Sequence, residues 1–250
     1  RSIMLEMAQS DERISVIQSP DNRGVGAAII SGYKAAMADD CEIVAVMAGD
    51  NQMDPHELPR LLHPIIDGRA DYAKGNRLYS KESLKGMSRW RYFGNSILTI
   101  LTKMASGYWH ISDPQNGYTA ISSGALRKIP LEDVFPWYGY CNDLLVKMNA
   151  YGLRVVDVPI PSRYGDERSK IRYWKYIPRV SWLLCRGFLW RMNAKYIARD
   201  FHPIVIFYGT GIPMSVLGIA LGLWCVLTRL LSGQVPFDRV VVSLLIFGLG

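Results

Sequence analysis

Val46-Met47-Ala48-Gly49-Asp50-Asn51-Gln52-Met53-Asp54-Pro55 reads as a strand, an acidic turn and the start of a helix. The apolar run 43–47 leading into it suits a strand buried on both faces, as in a parallel sheet covered by helices. Asp54 is placed to cap a helix, Pro55 fits the first helical position, and Glu57 lies where a capping box would put it. Ligands of open α/β sheets bind beyond the carboxyl ends of the strands, and Asp50 lies there. One carboxylate with the Gln52 amide suits a hard divalent cation whose other ligands are phosphate and water. A turn-forming aspartate is the plainer reading of Asp50 alone, and Asp54 is only the cap.

Outward from this stretch the patterns alternate. Residues 13–19 and 70–74 read as short strands, and 153–158 as another, while 24–38, 89–106 and 142–151 read as helices. The segment 24–38 carries small residues on one face, at Ala27, Ala28, Ser31 and Ala35. Strands alternating with helices predict right-handed βαβ units, hence an α/β domain with a mostly parallel sheet and helices on both faces.

The chain carries 29 Lys and Arg against 22 Asp and Glu, so an anionic partner is expected. The basic residues cluster in 163–199, interleaved with Trp174, Trp182 and Trp190, and the uncharged run 203–228 follows directly. That run is long enough to cross a bilayer as a helix, and a second apolar stretch begins at Val240. Lys and Arg before a first span predict a cytoplasmic side for everything preceding it, in a multi-pass membrane protein. A basic cluster rich in Trp and leading into a span argues against nucleic acid as partner. Within 171–199 the basic residues fall on two faces, predicting two amphipathic helices that meet near Gly187 and lie against membrane lipids. Cys41, Cys141, Cys185 and Cys225 are far apart, which argues against a zinc site or a disulfide framework. The expected organisation is a catalytic domain over 1–170, interface helices over 171–200, a membrane helix over 203–231 and the start of another over 240–250. Because the chain opens at Arg1 without an initiator Met, its natural N-terminus is expected upstream.

Five further segments occur in a telling order: Asn22-Arg23-Gly24-Val25-Gly26 with Gly32; Gly75-Asn76-Arg77; Arg91 with Asn95; Asp113-Pro114-Gln115-Asn116-Gly117-Tyr118; and Arg163 followed by Ser169-Lys170. With the acidic turn, they resemble family 2 glycosyltransferases, in particular the dolichyl-phosphate mannose synthase and polyprenyl-phosphate glycosyltransferase group. The resemblance covers about residues 13–172. It implies a GT-A-like, Rossmann-like fold and an inverting transfer from a nucleotide diphosphate sugar, GDP- or UDP-linked, to a polyprenyl or dolichyl phosphate, with Mg2+ or Mn2+ as cofactor.

The same resemblance implies roles. Asp50 and Gln52 would hold the metal, Asn22, Gly24 and Arg77 the donor, and Arg91, Asn95, Arg163 and Lys170 the acceptor phosphate. Asp113 would act as general base or orient the acceptor oxygen. Turn formation alone would also account for Asp113-Pro114 and Asn116-Gly117, and Asp143 reads as a cap or dipole partner. This chain departs from the family at Ala48, where the first motif aspartate is usual, and the family's base-binding segment would precede Arg1. Two other readings stay open: transfer to a surface polysaccharide or another lipid, and a membrane scaffold that binds nucleotide sugar without turnover. A homo-oligomer is also left open.

Overall fold

The computed structural model describes residues 2–79, 89–161, 173–198, 201–233 and 237–250, with the side chains of 89–93 and 173–175 outside that description. The chain divides into two units, Arg1–Arg191 and Met192–Gly250.

In the first unit, helix α1 (Ser2–Ser10) buries no residue, and α2 (Val25–Ala38) leads to strand β1 (Ile43–Val46). A 3-10 turn, Pro55–Glu57, runs into α3 (Leu58–Ile66), then β2 (Tyr72–Asn76) and α4 (Arg89–Ser106). Strand β3 (Thr119–Ser122), the short α5 (Ser123–Leu126), α6 (Tyr140–Ala150), β4 (Val155–Pro159) and α7 (Tyr173–Tyr196) follow.

The sheet runs β1-β3-β2-β4. β2 and β4 are parallel, with Lys74 beside Asp157, but β3 is antiparallel to both β1 and β2. The sheet is therefore mixed rather than mostly parallel. Strand β3 escapes the sequence patterns because it has only four residues and follows directly on the turn formers Asn116-Gly117. Among the described residues β1 stands at the edge of the sheet, and it is only partly buried. Central β2 is buried throughout. Residues 13–19 join no ladder among the described residues. Their alternation of Ile14 and Val16 with polar neighbours can orient a strand, but a strand also needs an edge to bond.

Each sheet face carries a core. Tyr72, Ile121 and Val155 pack with Ile30 and Tyr33 of α2 and with Leu144, Leu145 and Met148 of α6. On the other face Ala73, Ala120 and Val158 pack under Leu61 and Ile65 of α3. Full burial of each such large aliphatic side chain contributes about 1.5–3 kcal/mol. Helices on both faces are thus as the sequence predicts.

Helix α7 passes through Gly187 without a break, in place of the two helices expected over this segment. The glycine is used for approach: a Cβ there would meet Val146 of α6 at 3.4 Å. Val180, Leu184, Gly187 and Arg191, spaced i, i+4, i+7 and i+11, form a buried stripe. Arg191 is only 5% exposed and donates to Ala105 O at 2.7 Å, Met104 O at 3.1 Å and Asn149 Oδ1 at 3.4 Å. It satisfies carbonyls that the last turn of α4 leaves unpaired, so it does not belong to a lipid-facing basic surface. Trp182, Arg186 and Leu189 lie on the opposite, exposed side.

The second unit is a helical hairpin. Helix α8 (Ile204–Ser232) has 29 residues, about 43 Å of helix, and is long and apolar enough to cross a membrane. Gly233, at φ 72°, ends it in the left-handed conformation. Helix α9 (Phe237–Leu249) returns antiparallel, with Gly218 against Phe247 and Gly222 against Ser243. A Cβ on Gly218 would lie 2.6 Å from the Phe247 nitrogen, so the two backbones meet where side chains are absent.

Candidate active site

The carboxyl end of β1 opens into a tight acidic turn. Asp50 Oδ1 accepts the Gln52 amide at 3.1 Å, and Asn51 takes φ 59°, a left-handed position that asparagine tolerates. The Ala48 amide donates to Met53 Sδ at 3.1 Å, closing the turn from beneath. Asp54 Oδ1 accepts the His56 amide at 3.0 Å, as the helix-start signal predicts. Its carbonyl accepts the Tyr118 hydroxyl at 2.9 Å, and the Met53 methyl reaches the α-carbon side of Gly117. The acidic turn and the loop before β3 are therefore bound to each other.

That loop is organised around Asn116. Its amide nitrogen donates to Gly75 O at 2.7 Å, and its Oδ1 accepts the Tyr118 amide at 3.1 Å. The fully buried Lys74 ammonium donates to Asn116 O. Gly75 has to be a glycine, since a Cβ would lie 2.9 Å from both Asn116 Nδ2 and Ile160 Cδ1. Asp113 opens the turn, with the Asn116 amide bonding to its carbonyl at 3.3 Å. The Asp113 carboxylate is buried and pairs with Arg77, from the end of β2: Nε to Oδ2 at 2.8 Å and Nη2 to Oδ1 at 3.3 Å. The fork engages both oxygens, a geometry guanidinium shares with carboxylate and phosphate alike.

Asp157, on β4 beside Lys74, was not singled out by the sequence. Its Oδ2 accepts Asn76 Nδ2 at 3.1 Å and the Ser112 amide at 2.6 Å, while its buried Oδ1 has no partner among the described residues. Burial raises this carboxyl above the ordinary carboxylate range, against the lowering effect of the Ser112 amide and of Lys74. A signal was present, in a lone acid within Val155-Val156-Asp157-Val158. Lys74, a charged residue within the buried strand Tyr72–Asn76, gives a similar one.

The structure brings Asp50, Gln52, Arg77 and Asp113 to adjoining loops at the carboxyl ends of β1 and β2. Asn22 Oδ1 accepts the Gly24 amide at 3.0 Å, and Gly24, at φ 98°, packs against Pro136 and Trp137. Arg91 lies in the first turn of α4 with its side chain outside the described residues, and Asn95 is half-buried one turn on. Arg163 and Lys170 lie outside the described residues. Asp143 is structural, its Oδ2 accepting the Phe135 amide at 2.8 Å and Lys147 Nζ at 2.6 Å.

Among the described residues no three His, Cys, Asp or Glu side chains form a metal cluster. Asp50 and Gln52 fit a divalent cation only with a diphosphate supplying further oxygens, which is how Mg2+ is commonly held.

Residues 1–130 match the family model described as glycosyl transferase family 2. The chain belongs to that family. It is 28% identical over 154 residues to a UDP-N-acetylglucosamine–dolichyl-phosphate N-acetylglucosaminyltransferase of Methanococcus voltae, covering 62% of this chain and 61% of the relative. It is 25% identical over 154 residues to an undecaprenyl-phosphate mannosyltransferase of Micrococcus luteus, covering 61% and 62%. The chain thus spans about six-tenths of the length of these relatives. Among solved structures, glucosyl-3-phosphoglycerate synthase of Mycobacterium tuberculosis, in complex with Mn2+, UDP and phosphoglyceric acid, is 18% identical over 74% of this chain and 57% of that one. Its TM-score of 0.48 is too low to transfer any residue.

Proposed function

We propose that this chain carries the reaction centre of a membrane-anchored, inverting transferase that moves a sugar from a nucleotide diphosphate donor to a polyprenyl phosphate. The observation that carries this reading is the junction of two loops, in which the Asp50 turn is bonded through Tyr118 and Met53 to the loop holding the Asp113–Arg77 pair. We read Asp50 at this junction as a cation ligand and the Arg77 guanidinium as a phosphate partner, the two kinds of group a diphosphate calls for. Relatives named as transferases to dolichyl and undecaprenyl phosphate support the acceptor class.

In this reading Asp50 and Gln52 would hold Mg2+ or Mn2+, which would supply positive charge to the leaving diphosphate. Arg77 binds the donor diphosphate while it fixes Asp113. With both oxygens engaged by Arg77, Asp113 serves chiefly to orient the acceptor oxygen, and a phosphate acceptor is already ionised at neutral pH. Arg91, Asn95, Arg163 and Lys170 read the acceptor phosphate, Asn22 and Gly24 complete the donor side, and α8 with the exposed side of α7 keeps the chain at the bilayer.

The test is incubation of the full chain, in membranes, with radiolabelled GDP- and UDP-sugars and polyprenyl phosphate. Label entering the organic phase as an acid-labile sugar phosphate is expected. Label reaching only polysaccharide, or none with any donor despite nucleotide binding, would overturn the reading.

A further inference from the structure

Asp157 sits where two consecutive-residue pairs converge. Its Oδ2 takes one hydrogen bond from Asn76, the residue before Arg77, and another from the amide of Ser112, the residue before Asp113. We propose that Asp157 is a positioning residue: one carboxylate oxygen on β4 holds the two backbone segments that present the Arg77–Asp113 pair. The inference rests on the transferase reading, since it concerns the geometry of that site.

The surrounding bonds bear on the same two segments. Asn76 Oδ1 accepts the Leu78 amide at 2.9 Å, so the Asn76 side chain bridges Asp157 to the far side of Arg77. The Arg77 amide itself points to Asp113 Oδ2 at 3.3 Å. His110 bonds Val155 O at 2.8 Å, tying the loop before Asp113 to β4 two residues from the Ser112 bond. Residues 110–113 are thus sutured to β4 at two points, and residues 76–78 are held by the same carboxylate.

Packing does not explain an acid here. Lys74 and Asp157 are neighbours across the parallel ladder, yet Lys74 donates to Asn116 O, and Asp157 Oδ1 stays buried and unpaired among the described residues. A partly unsatisfied buried carboxylate is a poor source of stability beside an apolar side chain of similar size. What an apolar residue cannot do is accept from Ser112 and Asn76 together. An amide can, because one carbonyl oxygen has two lone pairs.

This separates geometry from charge. In the full chain in nanodiscs, Asp157→Leu is expected to lower kcat by roughly ten- to a hundredfold and to weaken nucleotide-sugar affinity by about threefold or more, since the segment presenting Arg77 loses its support. Hydrogen exchange should rise by about tenfold or more at amides 76–78 and 112–113, with β1 and α3 unaffected. Asp157→Asn should return both readouts to within about threefold of wild type, since the two accepted bonds survive. If Asp157→Leu does not fold, Asn76→Ala removes one of the two bonds without altering β4 and should loosen 76–78 in the same assay. A folded Asp157→Leu protein (or, in its stead, Asn76→Ala) with wild-type exchange at these amides overturns the proposal, as does Asp157→Asn being as impaired as Asp157→Leu. The exchange measurement needs no turnover, so absence of transfer in the wild type would count against the transferase reading and leave this one to be decided by exchange alone.

Discussion

Removing Arg77 should cost more stability than neutralising its partner. The Asp113 side chain is 6% exposed and that of Arg77 43%, so the pair is lopsided. In Arg77→Met the carboxylate stays buried after losing the 2.8 Å and 3.3 Å bonds, keeping among the described residues the 3.3 Å contact to the backbone amide. Breaking a fully buried pair in this way costs about 3–5 kcal/mol; the exposed flank of Arg77 lets water reach part of the gap, which lowers the figure to about 2–3 kcal/mol. Asp113→Asn instead weakens the bond to a half-exposed guanidinium that water can reach, for about 1 kcal/mol. At roughly 2–4 °C per kcal/mol for a unit of this size, Tm should fall by about 4–12 °C in the first variant and about 2–4 °C in the second. The double variant should lose less than the sum, because its second change removes the charge stranded by the first. Thermal unfolding in detergent, followed by tryptophan fluorescence, measures all three. An Arg77→Met loss equal to or smaller than that of Asp113→Asn would refute the claim that the guanidinium compensates a buried carboxylate.

Asp50→Asn should remove most divalent-dependent transfer without shifting Tm, since among the described residues this half-buried turn residue makes only a local bond to Gln52; metal titrations of activity check it, and Gln52→Ala should show a milder loss. Gly24→Ala forces a side chain into φ 98° with its Cβ 2.4 Å from Pro136 O, so a fall of at least about 1–2 kcal/mol in stability is expected by denaturant unfolding. Arg91→Ala and Arg163→Ala should each weaken polyprenyl phosphate use by roughly ten- to a hundredfold with donor affinity retained, measured by acceptor kinetics beside calorimetry.

The sequence makes some of this legible and hides the rest for identifiable reasons. Helix α4 agrees with its pattern end to end, and the Asp54 cap forms, because both depend on neighbours a few residues away. Strand β3 is hidden because its direction is a property of the sheet: four residues after Asn116-Gly117 carry no mark of lying antiparallel between β1 and β2. The motif order singles out Asp50, Arg77 and Asp113 as candidates but gives no sign that Arg77 and Asp113 pair, since their contact spans 36 positions. Asp157 is the complementary case. It lies in no quoted motif, and only the parallel register of β2 and β4 brings it beside Asn76 and Ser112.

The basic cluster shows how one composition divides into different jobs. Arg179 and Arg186 are exposed on α7, while Arg191, drawn from the same run, is buried and bonded to the last carbonyls of α4. Charge counting cannot separate them; their positions around the helix can, because Arg191 continues the stripe of Val180, Leu184 and Gly187. The consequence is mechanical. Near its start α4 meets α7 where Gly94 approaches Ile177, and near its end where Ala105 accepts from Arg191, so the two helices are coupled along most of α4. Helix α4 begins with Arg91 and Asn95, proposed to read the acceptor phosphate, and α7 is the helix whose chain continues toward α8. Coupling α4 to α7 therefore ties the proposed acceptor residues to the helix that precedes α8 in the chain. In the transfer we propose, binding energy spent on a lipid phosphate serves the reaction only if the residues reading it stay fixed relative to the reacting groups, and the α4–α7 contacts hold α4 in that way.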